Sequence, residues 1–387
     1  MRQFGKTKFL LQLIPRKKFD ALVEKWGMDH RVVKFTTWEQ TVTHVIAYVL
    51  RLETLREVEA ALFVPRSTFS DANANRSAGF FEELCEMVLS EIRQRSKSRK
   101  VKRAVQALLA LDSSECGVHG SLFSNRMWRK KRSEGKKAGV KLHAIWNVNG
   151  EWIEDFRITP ARVADSPVSK QFEISSGNMY VFDRAYKDLS FWWKIVQNGS
   201  DFVSRLTGCA RYHYDQKIIL DRLKKKGMEK DGVLWDGSWR PSAQVLWKHS
   251  EVGKDFVLRR ILYRDPETKK IFDFITSDFH SPPQTIADTY KKRWAVELLF
   301  RWLKGHLNIR YFASKNPNAI KIQLAVAVLV QLLVQLLRIE QQYPGTLWEC
   351  LRALRMQFVR QALINSGFPA QRTQRGTLRA SARGWIL

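Results

Sequence analysis

Hydrophobic and polar positions in this chain follow a helical period up to about residue 95 and a strand period through the middle. The clearest helical stretch is WEQTVTHVIAYVLRL (38–52). Thr54, with Glu57 three residues on, predicts a capping box for a helix through LREVEAALF that ends near Pro65. Ser67 or Thr68 predicts the cap of a short helix through FSDANANR. Two short helices across a tight turn fit a helix-turn-helix-like element, and fit a plain helical bundle equally. AVQALLALDSS (104–114) is an apolar run that ends in the carboxylate Asp112. GVKLHAIWNV and WIEDFRIT follow, joined by Asn149-Gly150, a type I′ hairpin signal. MYVFDRAY (179–186) is an apolar strand ending in Asp183, KDLSFWWKIVQNG a helix closed by Gly199, and DFVSRL another strand. Strands interleaved with helices predict an α/β core. From Arg211 to about Thr276 the pattern predicts a β-rich insertion, with Trp235, Trp239 and Trp247 among runs such as FVLRRILYR. The most apolar stretch is IQLAVAVLVQLLVQLLRI (322–339); Gln323, Gln331 and Gln335 favour a buried core helix over a membrane span.

Composition sharpens this picture in one direction. Hydrophobic residues make up 44% of the chain, enough for a globular fold, but the formal net charge is +28. That excess points to a polyanionic partner, most simply nucleic acid, and with the apolar stretch read as a core helix no membrane partner is expected. Arg93, Arg95, Lys97, Arg99, Lys100, Lys102 and Arg103 crowd into SEIRQRSKSRKVKR, either a solvated linker or a DNA-backbone contact. A second cluster runs from Arg126 through Lys130 to EGKKAGVKLH, where Lys136 and Lys137 are candidate DNA contacts. No acid follows Glu349, which predicts a basic helical C-terminal region. Cys85, Cys116, Cys209 and Cys350 have no zinc spacing and read as reduced thiols of a cytoplasmic protein. The apolar run before Pro15 is too short for a signal peptide. Gly5-Lys6-Thr7 resembles the end of a phosphate loop but lacks its upstream glycine and strand, so no nucleotide cofactor is expected.

Candidate chemistry centres on YKKRWAVELLFRWLKGHL. Tyr290, Arg293, Glu297 and Lys304 recur at steps of three, four and seven, which on one helix returns each to nearly the same face. Arg301 lies on that helix too. One acid in line with cations and a phenol can hold a metal ion and grip phosphates beside it. Asp112 and Asp183 supply two further carboxylates, and ends of neighbouring strands bring such groups together. Three hard oxygen donors in one place call for a hard cation: Mg²⁺, with Mn²⁺ as its substitute. Two such ions would serve in-line phosphoryl displacement, Asp112 bridging both while Asp183 and Glu297 each complete one.

The set Tyr290, Arg293, Glu297 and Lys304 resembles the Y-R-E-K motif of the DDE transposases of the insertion-sequence-four (IS-4) family. LALDSS at Asp112 resembles that family's first-Asp strand, VFDRAY at Asp183 its second-Asp block, and FITSDF (274–279) the strand before its motif helix. The stretch from FGKTKFLLQLIP to RLETLREVEAAL is similar to the helical domain that opens one branch of the family. The resemblance implies a ribonuclease H-like catalytic core, a mixed sheet with flanking helices, interrupted by the insertion. The implied organisation is a helical DNA-binding domain at 1–100, core at 101–210, β-rich insertion at 211–272, core with the motif helix at 273–340, and a basic helical region at 341–387. It also implies a metal-binding triad of Asp112, Asp183 and Glu297, with Tyr290, Arg293 and Lys304 on transposon-end phosphates. A tryptophan of the insertion, Trp239 among Trp235 and Trp247, would stack on a flipped base. The implied activity is cut-and-paste DNA transposition with hairpin formation and strand transfer, by a homodimer on double-stranded DNA at the nucleoid. A DNA-binding regulator without chemistry and a ribonuclease H-like nuclease that never joins strands are the alternatives.

Overall fold

The computed structural model describes residues 8–98, 106–124, 128–129, 138–206, 231–242, 246–309, 312 and 314–365. Cys209, Lys136, Lys137 and most of the second basic cluster lie outside them. Six helices come first: α1 (Lys8–Gln12), α2 (Arg16–Lys25), α3 (Thr37–Leu50), α4 (Leu55–Leu62), α5 (Arg66–Asn75) and α6 (Ala78–Ser98). The capping box at Thr54 and Glu57 forms, with Glu57 N donating to Thr54 Oγ1 at 3.1 Å and Thr54 N to Glu57 Oε2 at 3.1 Å. Helix α5, in contrast, starts at Arg66 rather than after Ser67 or Thr68. No side chain of its own caps it; Glu59 of α4 reaches across the turn and accepts from Arg66 N at 3.3 Å. Val58, Val64 and Phe69 close a small apolar core under this turn.

Eight strands follow in one sheet ordered β3-β2-β1-β4-β5-β8-β7-β6. They are β1 (Leu108–Val118), β2 (Ala138–Asn147), β3 (Trp152–Pro160), β4 (Met179–Phe182), β5 (Asp201–Arg205), β6 (Gly232–Trp239), β7 (Leu258–Arg264) and β8 (Ile271–Thr276). β1, β2 and β3 form an antiparallel meander, and β4 and β5 run parallel to β1. This is an α/β fold, the mixed sheet with flanking helices expected of a ribonuclease H-like core. The strands expected in the insertion, β6 and β7, hydrogen-bond onward from β8 and so extend the same sheet. Asn149-Gly150 does not make a two-residue type I′ turn. Asn147 pairs with Trp152 across a four-residue loop, and the residue in the left-handed region is Glu151 (φ 59°). Asn149 is drawn away because its Oδ1 accepts from Leu108 N at 3.1 Å. Gly150 is needed for space: a Cβ there would lie 2.1 Å from the Trp152 ring.

α7 (Asp165–Ser169) and α8 (Leu189–Gln197) flank β4, and α9 (Pro283–Lys291), α10 (Trp294–His306), α11 (Pro317–Glu340) and α12 (Leu347–Asn365) follow the sheet. α11 is long and apolar enough to cross a membrane, yet 89% of its most apolar window is buried inside the protein. It packs against α3, α5, α6, α12 and β3. Gln331 and Gln335 are satisfied there, donating to the Glu151 and Gly150 carbonyls at 3.1 and 2.6 Å. Each fully buried Leu or Val of that helix stabilises the fold by roughly 1.5–3 kcal/mol. The core is continuous from Phe19 and Phe80 of the N-terminal helices, through α11, to Ala110 and Val181 of the sheet. Two basic-junction arginines serve this packing: Arg93 pairs with Glu154 of β3 at 2.8 Å and Arg95 with Glu340 of α11. Cys85, Cys116 and Cys350 are buried free thiols.

Candidate active site

Asp112 does not end its strand, as the apolar run suggested. β1 continues to Val118, paired along β2, with Asp112 opposite Ala144. On its other edge, however, the parallel ladder with β4 stops at Leu111 opposite Phe182. Asp112 and Asp183 are therefore the next residues on neighbouring strands, whose axes lie about 4.8 Å apart. Beyond Phe182 the chain leaves the sheet, and the Asp183 carboxylate accepts from Arg184 N at 2.6 Å to open a 3-10 turn.

Glu297 comes from the first turn of α10, which packs against β1 and β2. The expected single helix carrying all four motif residues is instead two helices, broken at Lys292 and Arg293. Arg293 N donates to Tyr290 O at 3.0 Å and Val296 N to Arg293 O at 3.1 Å, so the backbone tightens to three-residue spacing there. The tightening aims Arg293 at the sheet. Its Nη1 donates to Asp112 Oδ2 at 3.0 Å and its Nη2 to Glu297 Oε1 at 2.6 Å. One guanidinium thus bridges the carboxylates of a strand and a helix 185 positions apart in number, while their oxygens stay on either side of it. Among the described residues, no three acids, histidines or cysteines are close enough to hold one ion.

Electrostatics still couple the three acids. Burial pushes the Asp112 carboxyl up to about 6; the Ser113 amide and Arg293 oppose the rise, and Asp183 and Glu297 add to it. Ser113 N donates to Asp112 Oδ1 at 2.7 Å. Tyr290 is buried, and burial raises its phenol above the ordinary tyrosine range. Its ring packs on Phe274 at 5.2 Å, with the Arg293 and Arg205 guanidinium carbons 5.8 and 5.9 Å from its centroid. Lys304 Nζ donates to the Glu115 carbonyl at 3.1 Å and so pins α10 along β1. Arg301 is exposed. Beside this cluster opens a cleft of about 540 Å³ lined by Asp183, Arg184, Arg205, Tyr290, Lys291 and Arg293, among others.

Arg205 closes β5 and was not singled out from the sequence, where an arginine after an apolar strand has no distinguishing pattern. Of the three tryptophan candidates, Trp235 covers Gly237, Trp239 is half-buried against the second core cluster, and Trp247 is 83% exposed.

Residues 103–333 match the family described as the transposase DDE domain, and residues 7–67 match a domain of unknown function. A Sinorhizobium fredii protein named as a transposase, y4zB, is 30% identical over 288 residues, 74% of each chain. A Geobacillus stearothermophilus protein named as a transposase for insertion sequence element IS5377 is 31% identical over 201 residues, 52% of this chain and 50% of the relative. A Synechocystis protein named for insertion sequence element IS4SA is 24% identical over 297 residues, 74% of this chain and 76% of the relative.

Proposed function

The chain belongs to the DDE transposases of insertion sequences, and from that premise we propose that Asp112, Asp183 and Glu297 are its catalytic carboxylates in cut-and-paste transposition. One observation carries the reading: Arg293 ties Asp112 of β1 to Glu297 of α10, with Asp183 just past the end of neighbouring β4.

As hard oxygen donors the three carboxylates suit a divalent metal, although Arg293 now stands between two of them. Asp112 is pushed up to about 6 by burial and, in lesser part, by the other two acids, a cost that a hard cation at these oxygens would relieve. Asp112, Asp183 and Glu297 would hold Mg²⁺, with Mn²⁺ as its substitute. When bound, the metal supplies an activated hydroxyl nucleophile and stabilises the leaving oxygen of the phosphodiester. The chain's own cations do the rest. Arg205 and Arg184 line the cleft with guanidinium groups suited to phosphate contacts, beside Arg293, whose guanidinium is already engaged by Asp112 and Glu297. Exposed Arg301 extends that surface along α10, Lys304 fixes the helix to β1, and the Tyr290 ring supports the two arginines.

The reaction sequence is hydrolysis at each element end, attack of the freed 3′-OH on the opposite strand to form a hairpin, reopening, and transfer into target DNA. Two ends held at once call for two copies of the chain, acting in the cytoplasm on nucleoid DNA. Asp112→Asn, Asp183→Asn and Glu297→Gln should each abolish Mg²⁺-dependent cleavage of a labelled end while the end is still bound in a mobility-shift assay. Wild-type cleavage in any of the three removes that residue from the triad. Nicks without joining on a target plasmid would make the protein a nuclease instead.

A further inference from the structure

On the face of the sheet opposite Asp112 lies a polar cluster that the reaction does not use. Strand alternation sends Asp112 toward α10 and its neighbour Ser113 the other way. Ser113 Oγ donates to Asp165 Oδ1 at 3.0 Å. Lys141 Nζ of β2 donates to the same oxygen at 3.0 Å and to the Val163 carbonyl at 2.9 Å. His143 stands cross-strand from Ser113, fully buried, with Nδ1 3.6 Å from Asp165 Oδ1 and Nε2 2.8 Å from Thr159 Oγ1. Burial lowers the pKa of the ring, against the pull of Asp165. Ser113 is the hinge between the two faces: its hydroxyl goes to Asp165, while its backbone N–H goes to Asp112 Oδ1 at 2.7 Å.

We propose that Asp165, through Ser113, is a positioning residue that sets the orientation of the Asp112 carboxylate for metal binding, an inference that rests on the catalytic reading above. A carboxylate oxygen that accepts from an amide 2.7 Å away has its direction set by that amide. The amide in turn has little freedom, since the Ser113 side chain is anchored to an acid that Lys141 holds in place. Without that anchor the β1–β2 ladder still holds the strand, but Ser113 gains rotamers, the tilt of its amide is less tightly set, and the Asp112 oxygen no longer meets the metal in one geometry. Groups that hydrogen-bond a metal ligand typically matter by about 10–100-fold in metal affinity or activity, and Asp165 stands one bond further back, at the low end of that range.

The test is Mn²⁺ binding to the DNA-free full-length protein, followed by electron paramagnetic resonance of the free ion, alongside end binding. Asp165→Asn and Ser113→Ala should each raise the Mn²⁺ dissociation constant about tenfold, with end affinity within about twofold of wild type. Ser113→Thr keeps the hydroxyl and should restore wild-type affinity, which a loss of packing would not do. Because Asp165→Asn leaves Lys141 without a carboxylate, Asp165→Asn combined with Lys141→Met serves as the form relieved of that buried charge. It should fold and still bind Mn²⁺ weakly. Mn²⁺ affinity unchanged in both Ser113→Ala and the double variant overturns the proposal. Asp183→Asn separates the two readings: if it and wild type bind Mn²⁺ alike, the catalytic assignment itself fails.

Discussion

In the proposed reaction the chemistry turns on Asp112, and its environment gives the pH dependence of that reaction a direction. Its carboxyl, pushed up to about 6 by burial, must lose its proton before it can ligate a cation. At limiting Mg²⁺, end cleavage should therefore fall as pH drops through about 6, and excess Mg²⁺ should move the midpoint to lower pH by competing with the proton. Arg293 favours the charged form, so Arg293→Ala should move the midpoint upward. Initial rates of nicking across about pH 5–8 at two Mg²⁺ concentrations test this, and a flat profile at both would remove Asp112 as the titrating group. That Asp112, Asp183 and Glu297 come together was legible in the sequence, because two apolar runs reach an acid and a third acid recurs in phase with cations. The contact of Asp165 with Ser113 was not, since one acid opening a five-residue helix looks like any turn former. Arg205 was hidden too: its neighbours in space, Tyr290 and Phe272, are distant in sequence.

Among elements, most periodic helices and strands fell close to their expected bounds, with β1 running on past Asp112 and the motif helix split in two, while the connections departed wherever a side chain found a distant partner. Asn149 bonds to β1 instead of shaping its own turn, and Glu59 caps α5 from another helix. The break between α9 and α10 was likewise invisible, since YKKRW contains no proline or glycine to announce it. Its cause is tertiary: Arg293 is drawn onto two carboxylates. The N-terminal helices show what such unpatterned contacts hold together. Asn73 Oδ1 accepts from Gln40 Nε2 and His44 Nε2, both at 2.7 Å, and Asn318 of α11 donates to the Arg76 carbonyl at 2.7 Å just past α5. His44 is buried, and burial pushes its pKa down to about 4. The unfolded chain binds this proton near its ordinary pKa of roughly 6.5, the folded one only near 4, so its stabilising effect is complete above that range. As pH falls from there toward 4, up to roughly 3 kcal/mol is lost. The melting temperature of wild type should thus drop between about pH 7 and 5 by more than that of His44→Gln. Parallel losses in the two proteins would show that His44 does not control acid stability.

At the scale of the whole molecule the net charge of +28 and the closed core make a joint demand. Many of the acids are already committed: Glu154 to Arg93, Asp236 to Arg259, Asp273 to Arg260, Glu151 to Arg338 and Asp265 to Lys291. Lys and Arg total 66 against 38 Asp and Glu, so pairing every acid would still leave cations without carboxylate partners. That surplus was fully legible in the composition, but its site was not, because two of the arginines in the basic junction turned out to brace the core. A polyanion is the natural counter-charge, and its grip must be salt-sensitive. Neutralising about 6–10 phosphates releases as many condensed counterions, which lowers affinity by roughly 10³–10⁵ between about 50 and 200 mM salt. Fluorescence anisotropy of a labelled duplex should give a linear, steep fall of log affinity with log salt. Arg301→Ala should shallow that slope by about one, since its side chain stands in solvent and its charge is free to meet a phosphate. Arg293→Ala should shallow it by less, because Asp112 and Glu297 already neutralise that guanidinium. Equal slopes for the two variants would mean that Arg293 leaves its carboxylates when DNA enters the cleft, and a salt-independent wild type would rule out DNA as the partner of this charge.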